Sequence, residues 1–178
     1  TLAVVQSLAR QTFRNAAGDP ARAVETYHRR LAALALSHDL LTEHNWGEVG
    51  LHQIVDRIIV RSGIPARVRV DGPPVRLSPR KAIAVTQALN ELAMASAAAR
   101  SVGEGGCEVK IDWTLAEGDF TLHWREIGGG WTQAPGVIAT QILTSLGEEF
   151  AGSTRLEEDG GCFVFTLRGS LRPAGAAV

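Results

Sequence analysis

Apolar residues recur at helical spacing over the first forty or so positions and at strand spacing in four stretches beyond residue 106. Residues 1–16 place Leu2, Val5, Leu8, Ala9 and Thr12 on one helical face, with Arg10 and Arg14 opposite. Gly18-Asp19-Pro20 interrupts this pattern, and Pro20 suits the first turn of a second helix. From there Val24, Tyr27, Leu31, Leu34, His38 and Leu41 form another stripe that runs to about residue 42. A short break between two such helices predicts an antiparallel hairpin. With one stripe per helix the hairpin has little core of its own and calls for a partner, commonly a second copy that completes a four-helix bundle. On this reading His38 packs within the bundle.

His44-Asn45-Trp46-Gly47 breaks the pattern, and Leu51, Ile54, Val55, Ile58 and Ile59 predict a third helix closed by Gly63 and Pro65. Strict alternation over 66–70 predicts a strand. Asp71-Gly72-Pro73-Pro74 then reads as a turn, and Val75-Arg76-Leu77 as a strand stub. Ser78-Pro79 caps a long helix to about Arg100. Strands are expected at 107–114 and 119–126 around Ala116-Glu117-Gly118-Asp119, and at 153–158 and 162–168 around Asp159-Gly160-Gly161. A helix at 137–150 separates the two pairs, and the tail from Arg172 reads as frayed. A hairpin of helices followed by α-β-β-α-β-β-α-β-β implies an α+β fold, with helices on one face of a largely antiparallel sheet. At this parity Trp113 and Trp124 point inward.

Composition narrows the function classes. The 178 residues carry 18 Lys+Arg against 19 Asp+Glu, a formal charge of −1, so no basic excess marks a nucleic-acid surface. No apolar run approaches the length of a bilayer span. Cys107 and Cys162 stand far apart without ligand-spaced neighbours, which argues against a disulfide framework or a zinc site. No signal peptide opens the chain, so a cytoplasmic setting is expected, and Thr1 reads as lying inside a longer protein. Neither a Gly-x-x-x-x-Gly-Lys loop nor a Gly-x-Gly-x-x-Gly turn is present.

Four stretches resemble the HWE and HisKA_2 sensor histidine kinases. Thr1 to Thr12 resembles the helix that follows their phosphoacceptor segment, and Leu31 to Glu43, closing at Trp46, resembles their second helix. Asp71-Gly72-Pro73-Pro74-Val75-Arg76-Leu77 is similar to the turn that opens the main helix of their ATP-binding domain, and Trp124-Arg125-Glu126 to their Trp-x-Glu element. The resemblance implies a dimerisation and histidine-phosphotransfer hairpin at 1–46. It implies a Bergerat (GHKL) type α/β sandwich with a mixed, mainly antiparallel sheet at 47–172. Expected partners are a second copy, through the hairpin, and a response-regulator receiver domain. Expected cofactors, if the chain is an active kinase, are ATP and Mg²⁺.

The resemblance also assigns roles, and here this sequence departs from the pattern. The phosphoacceptor His-Arg-x-x-Asn is absent from the chain and expected upstream of Thr1. His28, His38, His44, His52 and His123 stand in other contexts. The family's His-Glu-Leu-x-x-Asn-Ala reads Asn90-Glu91-Leu92-Ala93-Met94-Ala95-Ser96, keeping Glu91 as the catalytic candidate. Ala95 replaces the Mg²⁺-binding Asn, and a methyl offers a hard cation no oxygen. Asn90 lies roughly 140° away around the helix and does not substitute. The Gly-Phe-Gly of the phosphate lid reads Gly136-Val137-Ile138. Glu126 is the candidate acceptor for an adenine amino group, Gly128, Gly130 and Gly136 are candidate nucleotide-binding positions, and Trp131 could cover the pocket. Arg10, Arg14 and Arg22 form a solvated face or a receiver-docking one. Three functions fit this set: a relay or receiver-docking transmitter with impaired ATP binding, an active kinase, or an interaction module of GHKL fold without phosphate chemistry.

Overall fold

The computed structural model describes residues 5–6, 9–10, 12–13, 19–62, 67–100, 108–128, 137–159 and 162–172. Residues 5–6, 9–10 and 12–13 are helical, as the first stripe predicts. The elements that follow are α1 (Pro20–Glu43), β1 (Val49–Gly50), α2 (Leu51–Ser62), β2 (Arg67–Asp71), β3 (Arg76–Leu77) and α3 (Pro79–Arg100). After them come β4 (Glu108–Ala116), β5 (Asp119–Ile127), α4 (Val137–Glu149), β6 (Ser153–Asp159) and β7 (Cys162–Ser170).

Five strands form one mixed sheet in the order β2-β4-β5-β7-β6. β2 runs parallel to β4, with α3 in the crossover between them, and the other pairs are antiparallel. The β4–β5 turn is tight because Glu117 (φ 53°) and Gly118 (φ 92°) both adopt positive φ, the requirement of a two-residue hairpin loop with the right twist. Alternation sends Val109, Ile111, Trp113, Phe120, Leu122, Trp124, Phe163, Phe165 and Leu167 to the face covered by helices, all buried. Leu51, Ile54, Val55 and Ile58 of α2, Leu89 and Leu92 of α3, and Leu143 and Leu146 of α4 cover them. Trp113 and Trp124 are therefore core residues. Trp113 also donates its indole N–H to the Pro73 carbonyl at 2.8 Å and meets His52 edge-on.

The sequence pattern misses the strand β1. It pairs with β3 through Val49↔Leu77 and Gly50↔Arg76, and two residues are too few for alternation to register. The break before it is a helix cap. Asn45 (φ 51°) and Trp46 (φ 59°) turn left-handed, and the Trp46 N–H bonds back to the Leu41 carbonyl at 2.6 Å.

The second helix buries Leu34 and Leu41 of its predicted stripe, but the buried face as a whole is turned from it. Ala23, Arg30, Ala33, Leu34, Ser37, Leu40 and Leu41 are buried, a face turned about a quarter turn from the expected stripe at roughly 100° per residue. Val24 is 42% exposed, and Tyr27 and Leu31 are half-buried. His38 does not pack inside: it is exposed, with its ring edge-on to the half-exposed Trp46 at 5.0 Å. The reason is tertiary, since α1 packs along α3 and its C-terminal half (Leu36, Leu40, Leu41) enters the sheet's own core. Among the described residues no helix is long and apolar enough to cross a membrane.

Candidate functional site

Two stretches carry the chemistry expected from the sequence: Asn90-Glu91-Leu92 on α3, and Trp124-Arg125-Glu126 at the end of β5. On α3, Leu92 faces the core while Glu91 turns toward α1. Glu91 is 5% exposed and accepts two hydrogen bonds from Arg30, from Nε to one oxygen and from an η nitrogen to the other, both at 2.7 Å. Arg30, 8% exposed, also donates to Thr12 Oγ1 at 3.1 Å, so its guanidinium joins three helical segments. This fork-to-fork geometry is the strongest form of a side-chain ion pair.

Sequence reasoning passed over Arg30. The signal available was an Arg in register with Ala23, Ala33, Ser37 and Leu40 on one helix face, since a charge in an apolar row requires a buried counter-charge.

The neighbouring positions sort by helix geometry. Asn90 is half-buried, donates to Met94 Sδ at 3.3 Å and lines a cleft with Arg29 and Ala97. Ala95 is half-buried and presents a methyl where the family pattern has an amide. Gln87, one turn before Glu91, has its side-chain nitrogen buried without an acceptor.

On β5, residues 124 and 126 share the inward face because strand side chains alternate. Glu126 is 1% exposed, and Trp124, fully buried, donates its indole N–H to Glu126 Oε1 at 2.9 Å. The Trp-x-Glu element is thus an internally bonded pair, with the aromatic body filling the core and its polar edge orienting a carboxylate. Arg125 points to the open face and pairs with Asp112 at 3.0 Å. Gly128 follows at φ 83°, a conformation that favours glycine. Gly130, Trp131, Gly136, Arg14 and Cys107 lie outside the described residues. Cys162 is free. Glu91 thus pairs with α1, while Glu126 accepts from Trp124 on its own strand.

The family model described as HWE histidine kinase matches residues 1–74. A blue-light-activated histidine kinase of Brucella anthropi is 31% identical over 141 residues, covering 76% of this chain and 28% of that protein. Its Brucella ovis counterpart is 28% identical over 170 residues, covering 86% and 35%. These matches support an HWE-type sensor histidine kinase. The chain spans about a third or less of the length of these curated relatives. Among solved structures, the histidine kinase domain of Erythrobacter litoralis blue-light activated histidine kinase EL346 superposes with a TM-score of 0.69 at 18% identity. That match covers 96% of this chain and 85% of that one. Histidine kinase AdeS of Acinetobacter baumannii gives a TM-score of 0.56 at 15% identity, covering 97% and 95%. The shared fold is the α+β catalytic fold of histidine kinases, with a mixed, mainly antiparallel sheet.

Histidine kinases in general use ATP and Mg²⁺, dimerise and signal to response regulators. Among the described residues, the donor set of α3 does not fit the metal. Ala95 supplies no oxygen, both Glu91 oxygens are bonded to Arg30, and among the described residues no group of three His, Cys, Asp or Glu is placed to hold a metal ion. For the adenine end the fit is better, since Glu126 is a buried acceptor at the end of an inner strand.

Proposed function

We propose that this chain is the transmitter region of a two-component signalling protein in which ATP binding is impaired, acting as a phosphate relay or as a docking platform for a receiver domain. Residues 1–46 serve as the phosphotransfer hairpin and 47–172 as the catalytic-type domain. The observation that carries the reading is the state of α3. Its Mg²⁺ position holds the methyl of Ala95, and its retained carboxylate, Glu91, is neutralised by the hairpin's Arg30. Phosphoryl transfer from ATP depends on charge neutralisation by metal and on positioned donors, so losing both weakens the kinase step most.

A relay asks less of this site. The phosphoryl passes from an imidazole nitrogen to a receiver carboxylate oxygen; the P–N bond breaks, a P–O bond forms, and the freed imidazole takes a proton from water. The half-exposed row Val24, Tyr27, Leu31 supports association of two hairpins, since it leaves an apolar edge of α1 uncovered. Glu126 and Gly128, with Gly130 and Gly136, would form the remaining nucleotide pocket.

Calorimetric titration with ATP and Mg²⁺, repeated with EDTA, tests the reading. Absent or metal-independent binding at millimolar nucleotide is the expected result. Micromolar, metal-dependent binding overturns it in favour of an active kinase.

A further inference from the structure

Helix α1 is held to the rest of the molecule in two different ways along its length. Its C-terminal half is bolted by Leu36, Leu40 and Leu41, at most 2% exposed, into the core that also holds Leu51 and Ile54. Its N-terminal half meets α3 through small or polar side chains. On one side of this seam a cleft of about 270 Å³ opens between Ala32, Ile58, Met94 and Ala97. On the other lies a narrow crevice where the side-chain nitrogen of Gln87 is buried without an acceptor. The seam is thus flanked by an open cleft and a crevice rather than by continuous packing.

Across it runs Arg30–Glu91. Among the described residues it is the one ion pair with both partners buried; every other pair has a partner at least 36% exposed. Breaking one partner of such a pair leaves an uncompensated buried charge, whereas replacing both by apolar groups of similar volume is often neutral. Parting the pair therefore requires water to solvate both charges, and the cleft on one side of the seam gives water a route to it. Thr12, bonded to the same guanidinium, ties the first helical segment to the closed form.

The geometry points to a latch. Arg30 fastens the N-terminal half of α1 onto α3, with the pivot near Leu36, and while it is closed Glu91 is reserved by the hairpin and withheld from the nucleotide site. That Glu91 belongs to a nucleotide site rests on the reading above; the fastening does not. Arg30 is thus a positioning residue for Glu91, and the hairpin and the nucleotide site compete for one carboxylate.

Hydrogen exchange of the full chain, read by mass spectrometry without nucleotide, tests the latch. R30Q is expected to accelerate exchange across residues 27–34 by about a hundredfold or more, the range set by an uncompensated buried charge, and to leave the amides of β4, β5 and β7 unchanged. R30M/E91M is expected to stay within about tenfold of the native chain, because the seam closes over apolar side chains. Equal acceleration in the sheet, or none in α1, overturns the latch. Should R30Q fail to fold, R30K keeps the charge but loses the bidentate fork, and acceleration confined to α1 is again required. A parallel series with millimolar Mg·ATP isolates the nucleotide link. A larger response of α3 in R30Q than in the native chain supports the withholding of Glu91, and equal or absent responses overturn it. The nucleotide-free series still decides the fastening.

Discussion

Replacing Trp124 by Phe separates the two jobs the structure gives this residue. The six-membered ring is kept, but the indole N–H that donates to Glu126 Oε1 at 2.9 Å is lost. A hydrogen bond to a carboxylate contributes about 1.5–3 kcal/mol, and removing its donor leaves a buried acceptor under-satisfied. Trp124 is fully buried, and the smaller side chain forfeits roughly 40 Å² of the 150–250 Å² an aromatic buries, worth about 1 kcal/mol. The expected loss is about 2.5–4 kcal/mol, a large share of the roughly 5–15 kcal/mol that holds a domain of this size. Urea denaturation followed by far-ultraviolet circular dichroism measures it as a lower midpoint at unchanged slope. A cycle with Glu126→Met, alone and combined with W124F, isolates the contact, for which the coupling energy should exceed about 1.5 kcal/mol. A coupling below about 0.5 kcal/mol would refute the reasoning, because the indole would then be core filler and the carboxylate would be oriented by other groups.

Further outcomes follow from other positions. Ala95→Asn is expected to raise Mg·ATP affinity at least about tenfold in calorimetry if a single missing ligand limits binding; no change shows that the site has diverged beyond that ligand. Gly152→Ala would place a Cβ 1.9 Å from the Arg168 carbonyl oxygen and 2.6 Å from Gly169 Cα. Since backbone cannot step aside, a loss of about 2 kcal/mol or more should appear as a lower Tm in a thermal scan. Burial lowers the pKa of His123, aided by Arg125 and Arg168 and opposed by Asp112. Its imidazole is therefore expected to stay neutral in the folded chain at a pH where the unfolded chain is already protonated. The unfolded state binds the extra proton, so this residue's contribution to stability falls as pH drops through about 6.5 and levels off below the folded pKa. Two-dimensional NMR of the ring and midpoints measured across that range check both statements, and a titration at or above the ordinary value would contradict the first.

Much of this protein was legible along the chain. Apolar runs at helical spacing marked the helices up to residue 59, because a 3.6-residue repeat sustained along a helix is hard to produce by accident, and the Ser78-Pro79 cap marked the start of α3. Alternation placed the four long strands and sent Trp113 and Trp124 inward, and the Glu117-Gly118 turn followed from glycine's freedom at positive φ. The family resemblance, too, could be read from local stretches, since Leu31 to Glu43 and Asp71 to Leu77 are each contiguous in sequence and lie within the matched residues 1–74. Contacts between distant segments were not legible. Arg30 and Glu91 are 61 residues apart, and no local pattern says which buried charge meets which. The two-residue strand β1 owes its existence to β3, so it leaves no periodic trace. The same holds for α1: its stripe is amphipathic enough to suit two neighbouring faces, and propensity does not choose between them. Packing against α3 chose, turning His38 out to solvent and Arg30 inward. Sequence alone determined the elements and the chemistry they carry, because those depend on residues a few positions apart. The tertiary structure alone decided which charges are paired and which helix face is buried, because both depend on what the rest of the chain brings alongside.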